Sequence, residues 1–211
     1  MKLYTYEHCP FCVRVKMILN LTKTPYEEVI LLNDDEETPI KLCGAKQVPI
    51  LEYDNKILVE SLEIVDFINQ KNNLLSTSSQ ILNTKIENWI SSSYDYLIKL
   101  AFPRLLKLNL PEFKTQSAVN YFRKKKESSI KMTFEEALSQ TNELIQQAQE
   151  HQNELSEFLP DGTLITKNDI ILLPILRLLS CVEGLQWNEK VLKYANNMAK
   201  ICNIDMHNKI S

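Results

Sequence analysis

Two cysteines separated by two residues, Cys9 and Cys12, have the types and spacing that most directly suggest chemistry. Such a pair can form a reversible disulfide, or it can supply two of the four ligands of a structural zinc site. The N-terminus lacks the apolar segment of a signal peptide, and the number of cysteines, five, is odd. We therefore expect a cytoplasmic, reducing environment, in which the pair serves redox chemistry or binds metal.

A zinc site would need two more ligands, and the rest of the sequence offers them poorly. The remaining candidates form no second pair at ligand spacing; they are Cys43, Cys181, Cys202, His8, His151 and His207. We therefore predict no metal. The three other cysteines have apolar neighbours and are predicted to be buried, inert thiols. His8 adjoins the pair and either adds positive charge or is a solvent-exposed bystander.

The elements around the pair assign different roles to its two thiols. Residues 2–6 read as a short strand, and an apolar stripe at helical spacing predicts a helix running to about Leu21. Pro10 then takes the first helical position, which leaves Cys9 directly before the helix. Unpaired amides of the first turn and the helix dipole would favour a Cys9 thiolate. We predict that Cys9 attacks and that Cys12, one turn further in, resolves.

The rest of the first part continues an alternating pattern. Residues 26–32 can form a second strand, and a short helix can end at Gly44. A strand opening at Pro49 runs toward the turn at residues 54–55, and residues 56–59 pair back as a hairpin. Ser61 is predicted to cap the next helix. The order β-α-β-α-β-β-α predicts an α/β thioredoxin-like domain over residues 1–72.

Beyond a polar linker, assigned to residues 73–82, the sequence reads as helix. Residues 83–211 are predicted to form an all-α domain, whose buried central helix covers the apolar run 170–179. The basic run 123–126 is interpreted as a solvated helix face. A net charge of −3 gives no reason to expect nucleic acid, and no apolar stretch is long enough to cross a membrane.

Three motifs, Cys9-Pro10-Phe11-Cys12, Val48-Pro49 and Glu60-Ser61, together resemble the glutaredoxin and glutathione-transferase-like superfamily. Further stretches from both halves resemble the bacterial glutaredoxin 2 family; they are residues 31–35, 46–51, 102–104, 121–127 and 197–200. The resemblance implies a glutathione-transferase-like architecture with a cis Pro49. It also implies a glutathione site, with Val48 pairing to the cysteinyl part and with Glu60 and Ser61 at the γ-glutamyl end.

The same resemblance implies the activity. The chain would be a glutathione-dependent thiol–disulfide oxidoreductase that reduces glutathione mixed disulfides and protein disulfides. Pro10, Phe11 and Gln47 would complete the glutathione site, and no residue of the helical part is carried over as catalytic. Glutathione would be a co-substrate and no cofactor would be tightly bound; a monomer is expected, with glutathionylated or disulfide-containing proteins as partners. The alternatives are a glutathione transferase, a metal or iron–sulfur carrier, and a scaffold that keeps only the fold.

Overall fold

The first part of the molecule is a small sheet with helices packed on it. The computed structural model describes residues 1–162 and 164–208. Its elements up to residue 72 are β1 (Lys2–Thr5), α1 (Pro10–Leu21), β2 (Glu27–Ile30), α2 (Glu37–Cys43), β3 (Ile50–Tyr53), β4 (Lys56–Leu58) and α3 (Ser61–Asn72). This order confirms the thioredoxin-like fold that the sequence predicted.

The strands lie in the order β2-β1-β3-β4, so β1 is an inner strand of the sheet. The loop that carries Cys9 begins at the end of β1. β1 runs parallel to β2 and antiparallel to β3, with Leu3 opposite Leu51. Leu3 and Thr5 are fully buried on one face, where α1 and α3 pack against each other. Because β1 is held on both sides, the loop that leaves it toward Cys9 starts from a fixed position.

The start of α3 differs from the prediction. Ser61 was expected to precede the helix as its cap, but it is the first helical residue, and Glu60 takes the flanking position. Glu60 has a left-handed φ of 63° and ψ of 106°, and its side chain makes no capping hydrogen bond. The sequence pattern was misleading because serine is a preferred cap residue, whereas the backbone conformation of Glu60 starts the helix one residue earlier. In consequence the N–H of Ser61 belongs to the unpaired amides of the first turn.

The second part consists of helices. They are α4 (Thr84–Leu105), α5 (Gln116–Ile130), α6 (Phe134–Ser139), α7 (Thr141–Leu155), α8 (Lys167–Leu179) and α9 (Glu189–Cys202), with 3₁₀ turns at Ser78–Gln80 and Pro111–Phe113. Pro103 lies in the last turn of α4. Two separate helices, α6 and α7, follow Thr133, since the chain breaks at Gln140.

Helix α8 is the buried centre of this part, as predicted from its apolar sequence. Every residue from Asp169 to Leu179 is buried, and the helix packs against α4, α9 and α1. The Asp169 carboxylate accepts hydrogen bonds from the backbone and hydroxyl of Thr166 at 2.8 Å and from the Tyr194 hydroxyl at 2.7 Å. Because α8 also contacts α1, the helical part reaches the helix that follows Cys9. Among the helices of the described ranges, none is long and apolar enough to cross a membrane.

Candidate functional site

Cys9 lies where the sequence placed it, between β1 and α1. It is the N-terminal flanking residue of α1, with φ −76° and ψ 118°, and Pro10 occupies the first turn. Its carbonyl accepts from the N–H of Val13 at 3.1 Å, which starts the helix. The amides of Phe11 and Cys12 are then left to face the Cys9 sulfur. The position of Cys9 at the start of α1 thus follows from Pro10 and the first turn of the helix.

The two thiols differ sharply in acidity. The side-chain hydrogen bond from Cys12 lowers the pKa of Cys9, and the backbone amides of Cys12 and Phe11 and the charge of Lys126 act in the same direction against the effect of burial. Burial raises the pKa of Cys12 well above its ordinary value. Cys9 is 7% exposed, whereas Cys12 is 0% exposed. Of the two thiols, Cys9 therefore has the lower pKa and the greater exposure.

Two cavities meet beside Cys9. The smaller, of about 190 Å³, lies at the start of α3 and is lined by Phe11, Gln47, Val48, Pro49, Glu60 and Ser61. The larger, of about 450 Å³, lies between the sheet part and the helical part and contains Cys9 and Pro10 in its wall. Phe11, Gln47 and Val48 line both cavities. The structure thus brings together all the predicted site residues except Cys12, which lies buried behind Cys9.

The smaller cavity offers unused main-chain and helix-end groups. The Val48-Pro49 peptide bond is cis, as the sequence resemblance implied. Neither the N–H nor the C=O of Val48 bonds another described residue. At the opposite wall the Ser61 hydroxyl accepts a 3.4 Å hydrogen bond from Arg14, at the positive end of α3. A peptide-like ligand with a carboxylate fits such a wall.

Part of the basic run 123–126 faces the site, which sequence reasoning missed. Lys125 and Lys126 line the larger cavity, and the Lys126 ammonium lies 4.7 Å from the centre of the Phe102 ring. Burial lowers the pKa of Lys126, and the Cys9 charge opposes that effect. The interpretation of this run as a solvated face is wrong for Lys126, which is partly buried, whereas Lys125 borders the cavity but is exposed, as predicted. A run of four cations carries no signal of which member turns inward.

Lys46 is a further site residue that the sequence did not identify, and His8 lies at the site in a way that the sequence did not predict. The Lys46 ammonium donates to the Tyr6 hydroxyl at 2.8 Å, to the Asn33 carbonyl at 2.9 Å and to the Asp35 carbonyl. It thereby ties the loop after β2 to the wall of the cavity. His8 is 8% exposed and bonded to Glu112, so it is not an exposed bystander.

The other cysteines show no sign of a metal centre. Cys181 and Cys202 are buried, as predicted, and burial raises their pKa values to about 12. Cys43 is partly exposed, so the prediction that it is buried was wrong. All five thiols are free, and within residues 1–162 and 164–208 no three histidine, cysteine or carboxylate groups cluster to hold a metal ion.

Replacing Lys126 should make Cys9 less reactive in mildly acidic solution. A partly screened unit charge is worth about 0.5–1 kcal/mol, so Lys126→Gln should lower the rate of Cys9 alkylation at pH 6 roughly two- to fivefold. The variant raises the pKa of Cys9, so the difference should shrink as pH rises and the thiol ionises in both proteins. The measurement is the pH profile of iodoacetamide alkylation in a Cys43→Ser background. Lys124→Gln, an exposed neighbour in the same run, is the control; equal profiles for the two variants would refute the role.

Fold and site together define a class of protein: a thiol-based redox protein in which a thioredoxin-like domain is joined to a helical domain, as in glutathione transferases. A family model described as "Glutaredoxin 2, C terminal domain" matches residues 85–211, and one described as "Glutathione S-transferase, N-terminal domain" matches residues 3–76. The chain belongs to the glutaredoxin 2 family. Glutaredoxins are thiol–disulfide oxidoreductases, so the protein is an enzyme of this kind.

Individual relatives agree with this assignment. Glutaredoxin 2 of Escherichia coli K12 is 36% identical over 212 residues, which cover 98% of this chain and 97% of that protein. The crystal structure of glutaredoxin 2 from Salmonella typhimurium in complex with glutathione matches with 37% identity and a TM-score of 0.91, over 98% of this chain and 96% of the other. A glutathione transferase from Phanerochaete chrysosporium has a TM-score of 0.73 at 14% identity, over 100% and 98% of the two chains; it shares the fold alone.

Proposed function

We propose that this protein is a glutathione-dependent oxidoreductase that reduces glutathione mixed disulfides and protein disulfides. The observation that carries the proposal is the stabilised thiolate position of Cys9 at the junction of two cavities. A nucleophile placed there can be approached by glutathione from one side and by the rest of the substrate from the other. Cys9 is the catalytic thiol in this proposal, and Cys12 is the resolving thiol.

The smaller cavity is assigned to glutathione. The free N–H and C=O of Val48 would pair with the cysteinyl residue, next to Pro49. The α-carboxylate of the γ-glutamyl end would accept from the first-turn amides and hydroxyl of Ser61, while Glu60 would attract its ammonium group. Pro10, Phe11 and Gln47 would line the rest. The glutathione complex of the Salmonella relative supports this assignment.

The reaction follows from thiol–disulfide exchange. The Cys9 thiolate attacks the glutathione sulfur of a mixed disulfide, which forms a Cys9–glutathione disulfide and expels the other thiol as a thiolate that takes up a proton. A second glutathione thiolate attacks the bound glutathione sulfur, which releases oxidised glutathione and restores the Cys9 thiolate. With a protein disulfide, Cys12 instead closes the Cys9–Cys12 disulfide, and two glutathione molecules reduce it afterwards.

The division of the chain is part of the same proposal. Residues 1–72 would carry the thiol chemistry, residues 73–82 would link the two parts, and residues 83–211 would form the helical wall of the larger cavity. We propose a monomer that works in the cytoplasm with glutathionylated or disulfide-containing proteins as partners. Glutathione would be its co-substrate.

The wild-type protein gives the direct test. We expect glutathione-dependent reduction of a glutathionylated peptide, coupled to reduction of the oxidised glutathione, and conjugation of 1-chloro-2,4-dinitrobenzene at no more than the uncatalysed rate. The alternative, a glutathione transferase, would activate the glutathione thiol and give the opposite pattern. Conjugation without peptide reduction would overturn the proposal.

Changing Ser61 to alanine should weaken glutathione binding without affecting the thiol. The variant removes a hydroxyl from the cavity at the start of α3, and a hydrogen bond to a charged group contributes about 1.5–3 kcal/mol, so KM for glutathione should rise at least tenfold. Alkylation of Cys9 should keep its rate. Ser129→Ala, on the exposed side of α5, is the matched control. An unchanged KM for Ser61→Ala would exclude this cavity as the carboxylate site.

A further inference from the structure

A buried histidine–carboxylate pair adjoins Cys9 and is not used by the reaction above. His8 Nδ1 lies 2.6 Å from Glu112 Oε1, which also accepts from the backbone N–H of His8 at 2.9 Å. Glu112 lies in the 3₁₀ turn before α5 and its side chain is 0% exposed. The helical part thus supplies a carboxylate to the residue directly before the nucleophile.

The charges of the pair determine where its proton lies. Burial lowers the pKa of His8 and outweighs the opposing effect of Glu112. Burial alone would raise the pKa of Glu112, but the hydrogen bonds from His8 hold it below its ordinary value. At neutral pH the pair is therefore a carboxylate and a neutral imidazole. Since a carboxylate only accepts, Nδ1 carries the proton, and Nε2 has a free lone pair.

The imidazole ring of His8 lies in the wall of the larger cavity. The imidazole is stacked between Tyr6 and Phe113, with centroid distances of 5.6 and 5.3 Å, and the Phe122 ring lies edge-on at 5.2 Å. The Nδ1 edge contacts the fully buried Glu112, and 9% of the His8 side chain is exposed. Nε2 bonds no described residue, and His8 lines the cavity together with Cys9.

Several other ionisable groups face this ring from the surrounding elements. Lys126 of α5 and Arg177 of α8 both disfavour the protonated imidazole, and His207 and Tyr6 lie on its other sides. The His207 pKa is lowered to about 3, chiefly by burial, so this neighbour is neutral. Burial, assisted by the two cations, lowers the pKa of His8 despite the Glu112 carboxylate and keeps the imidazole in the form that accepts a proton.

We propose that His8 is a catalytic residue, the general base for the second glutathione, and that Glu112 is a positioning residue that fixes its tautomer. This inference rests on the proposed function. The first glutathione would fill the smaller cavity, so the second must enter through the larger one and pass His8. Nε2 takes the proton of the incoming thiol, and the resulting thiolate attacks the Cys9–glutathione disulfide.

The proton balance closes over one turnover. Oxidised glutathione leaves with two sulfurs and no thiol proton, and the proton remains on Nε2. Because the pKa of His8 is lowered, the imidazole gives this proton up, either to solvent or to the thiolate that the next mixed disulfide expels, and is neutral again. The net reaction is a mixed disulfide plus glutathione giving oxidised glutathione plus the free thiol. No further oxidant or reductant is needed.

His8→Asn is the informative variant, because its amide can still donate to Glu112 but has no group in place of Nε2. At pH 7 only about 3% of a thiol of pKa ~8.5 is ionised, so a base can accelerate this step by at most roughly thirtyfold. The measurement is the rate at which glutathione reduces preformed Cys9–glutathione disulfide, in a Cys12→Ser background, between pH 6 and 9.5. We expect the variant to be about tenfold slower at pH 7 and to approach the parent protein above pH 9, where glutathione is already ionised.

A second nucleophile separates a base from a structural role. Thionitrobenzoate is fully ionised at pH 7 and needs no base, so it should reduce the disulfide equally fast in both proteins. Glu112→Gln should slow the glutathione reaction in the same direction, because it no longer fixes the tautomer. A slowing by the same factor at every pH and with both nucleophiles, or none at pH 7, would overturn the inference. If glutathione failed to reduce the disulfide in the parent protein, the proposed function itself would fail.

Discussion

Cys9→Ser should reduce the turnover of a glutathionylated peptide on the order of a thousandfold or more, because a serine hydroxyl does not ionise at neutral pH and cannot form the mixed disulfide. Cys12→Ser should keep turnover within a few fold of the wild type. The serine hydroxyl can still donate a hydrogen bond to the Cys9 thiolate, as the Cys12 thiol does. The route through a Cys9–glutathione disulfide needs no second thiol.

A third variant isolates that hydrogen bond. Cys12→Ala removes the donor, so the pKa of Cys9 should rise and alkylation should slow at low pH, whereas Cys12→Ser should show a smaller change. Turnover and alkylation are measured on the same samples, together with reduction of a protein disulfide, for which Cys12 is required. Activity that survived in Cys9→Ser would refute the assignment of the nucleophile, and loss of peptide turnover in Cys12→Ser would refute the one-thiol route.

The structural features that could be predicted from the sequence are those that a short stretch of chain determines by itself. The position of Cys9 before α1 follows from Pro10 and the apolar stripe behind it, all within about a dozen residues. The stop of α2 at Gly44, where φ is 81°, is equally local. Features of this kind depend on backbone conformation and helical periodicity, which each segment specifies by itself.

The remainder of the site depends on packing between distant segments. Glu112 meets His8 across 104 residues, and Lys126 reaches the cavity only because Phe122 and Phe102 are packed beneath it. Neither relation leaves a pattern in the sequence of either segment. Even local prediction has a limit, as the first turn of α3 shows. Glu60 and Ser61 were both identified as site residues, but which of them precedes the helix depends on the left-handed φ of Glu60.

Arg177→Met should destabilise the protein by about 3–5 kcal/mol, as expected when one partner of a buried charged network is removed. The guanidinium is buried in α8 and donates to the Glu7 carboxylate at 2.5 Å, the Glu7 carbonyl at 2.8 Å and the Asp205 carbonyl at 2.6 Å. A further contact of 3.1 Å joins it to His207. Methionine keeps the length and apolar volume but leaves these acceptors without their donor. Urea unfolding measures the loss.

The control for this loss is Lys190→Met, whose pair with Glu157 is 3.9 Å long and exposed on both sides. It should change the free energy of unfolding by less than about 0.5 kcal/mol. A similar small change for Arg177→Met would show that the buried network contributes no more than a surface pair. The double variant Glu7→Gln with Arg177→Met should lose less than the sum of the single losses, since the Glu7 change removes a negative charge that has already lost its Arg177 partner.

The location of Arg177 gives its loss a functional effect as well. It holds residue 7, and Glu112 holds residue 8, so two groups of the helical part fix the loop that presents Cys9. Loosening this loop should lower turnover more than it lowers Cys9 alkylation, because alkylation needs only an accessible thiolate, whereas exchange needs three sulfurs in line. Equal decreases in both rates in Arg177→Met, at a temperature where the variant is folded, would mean that the contact stabilises the fold without orienting the nucleophile.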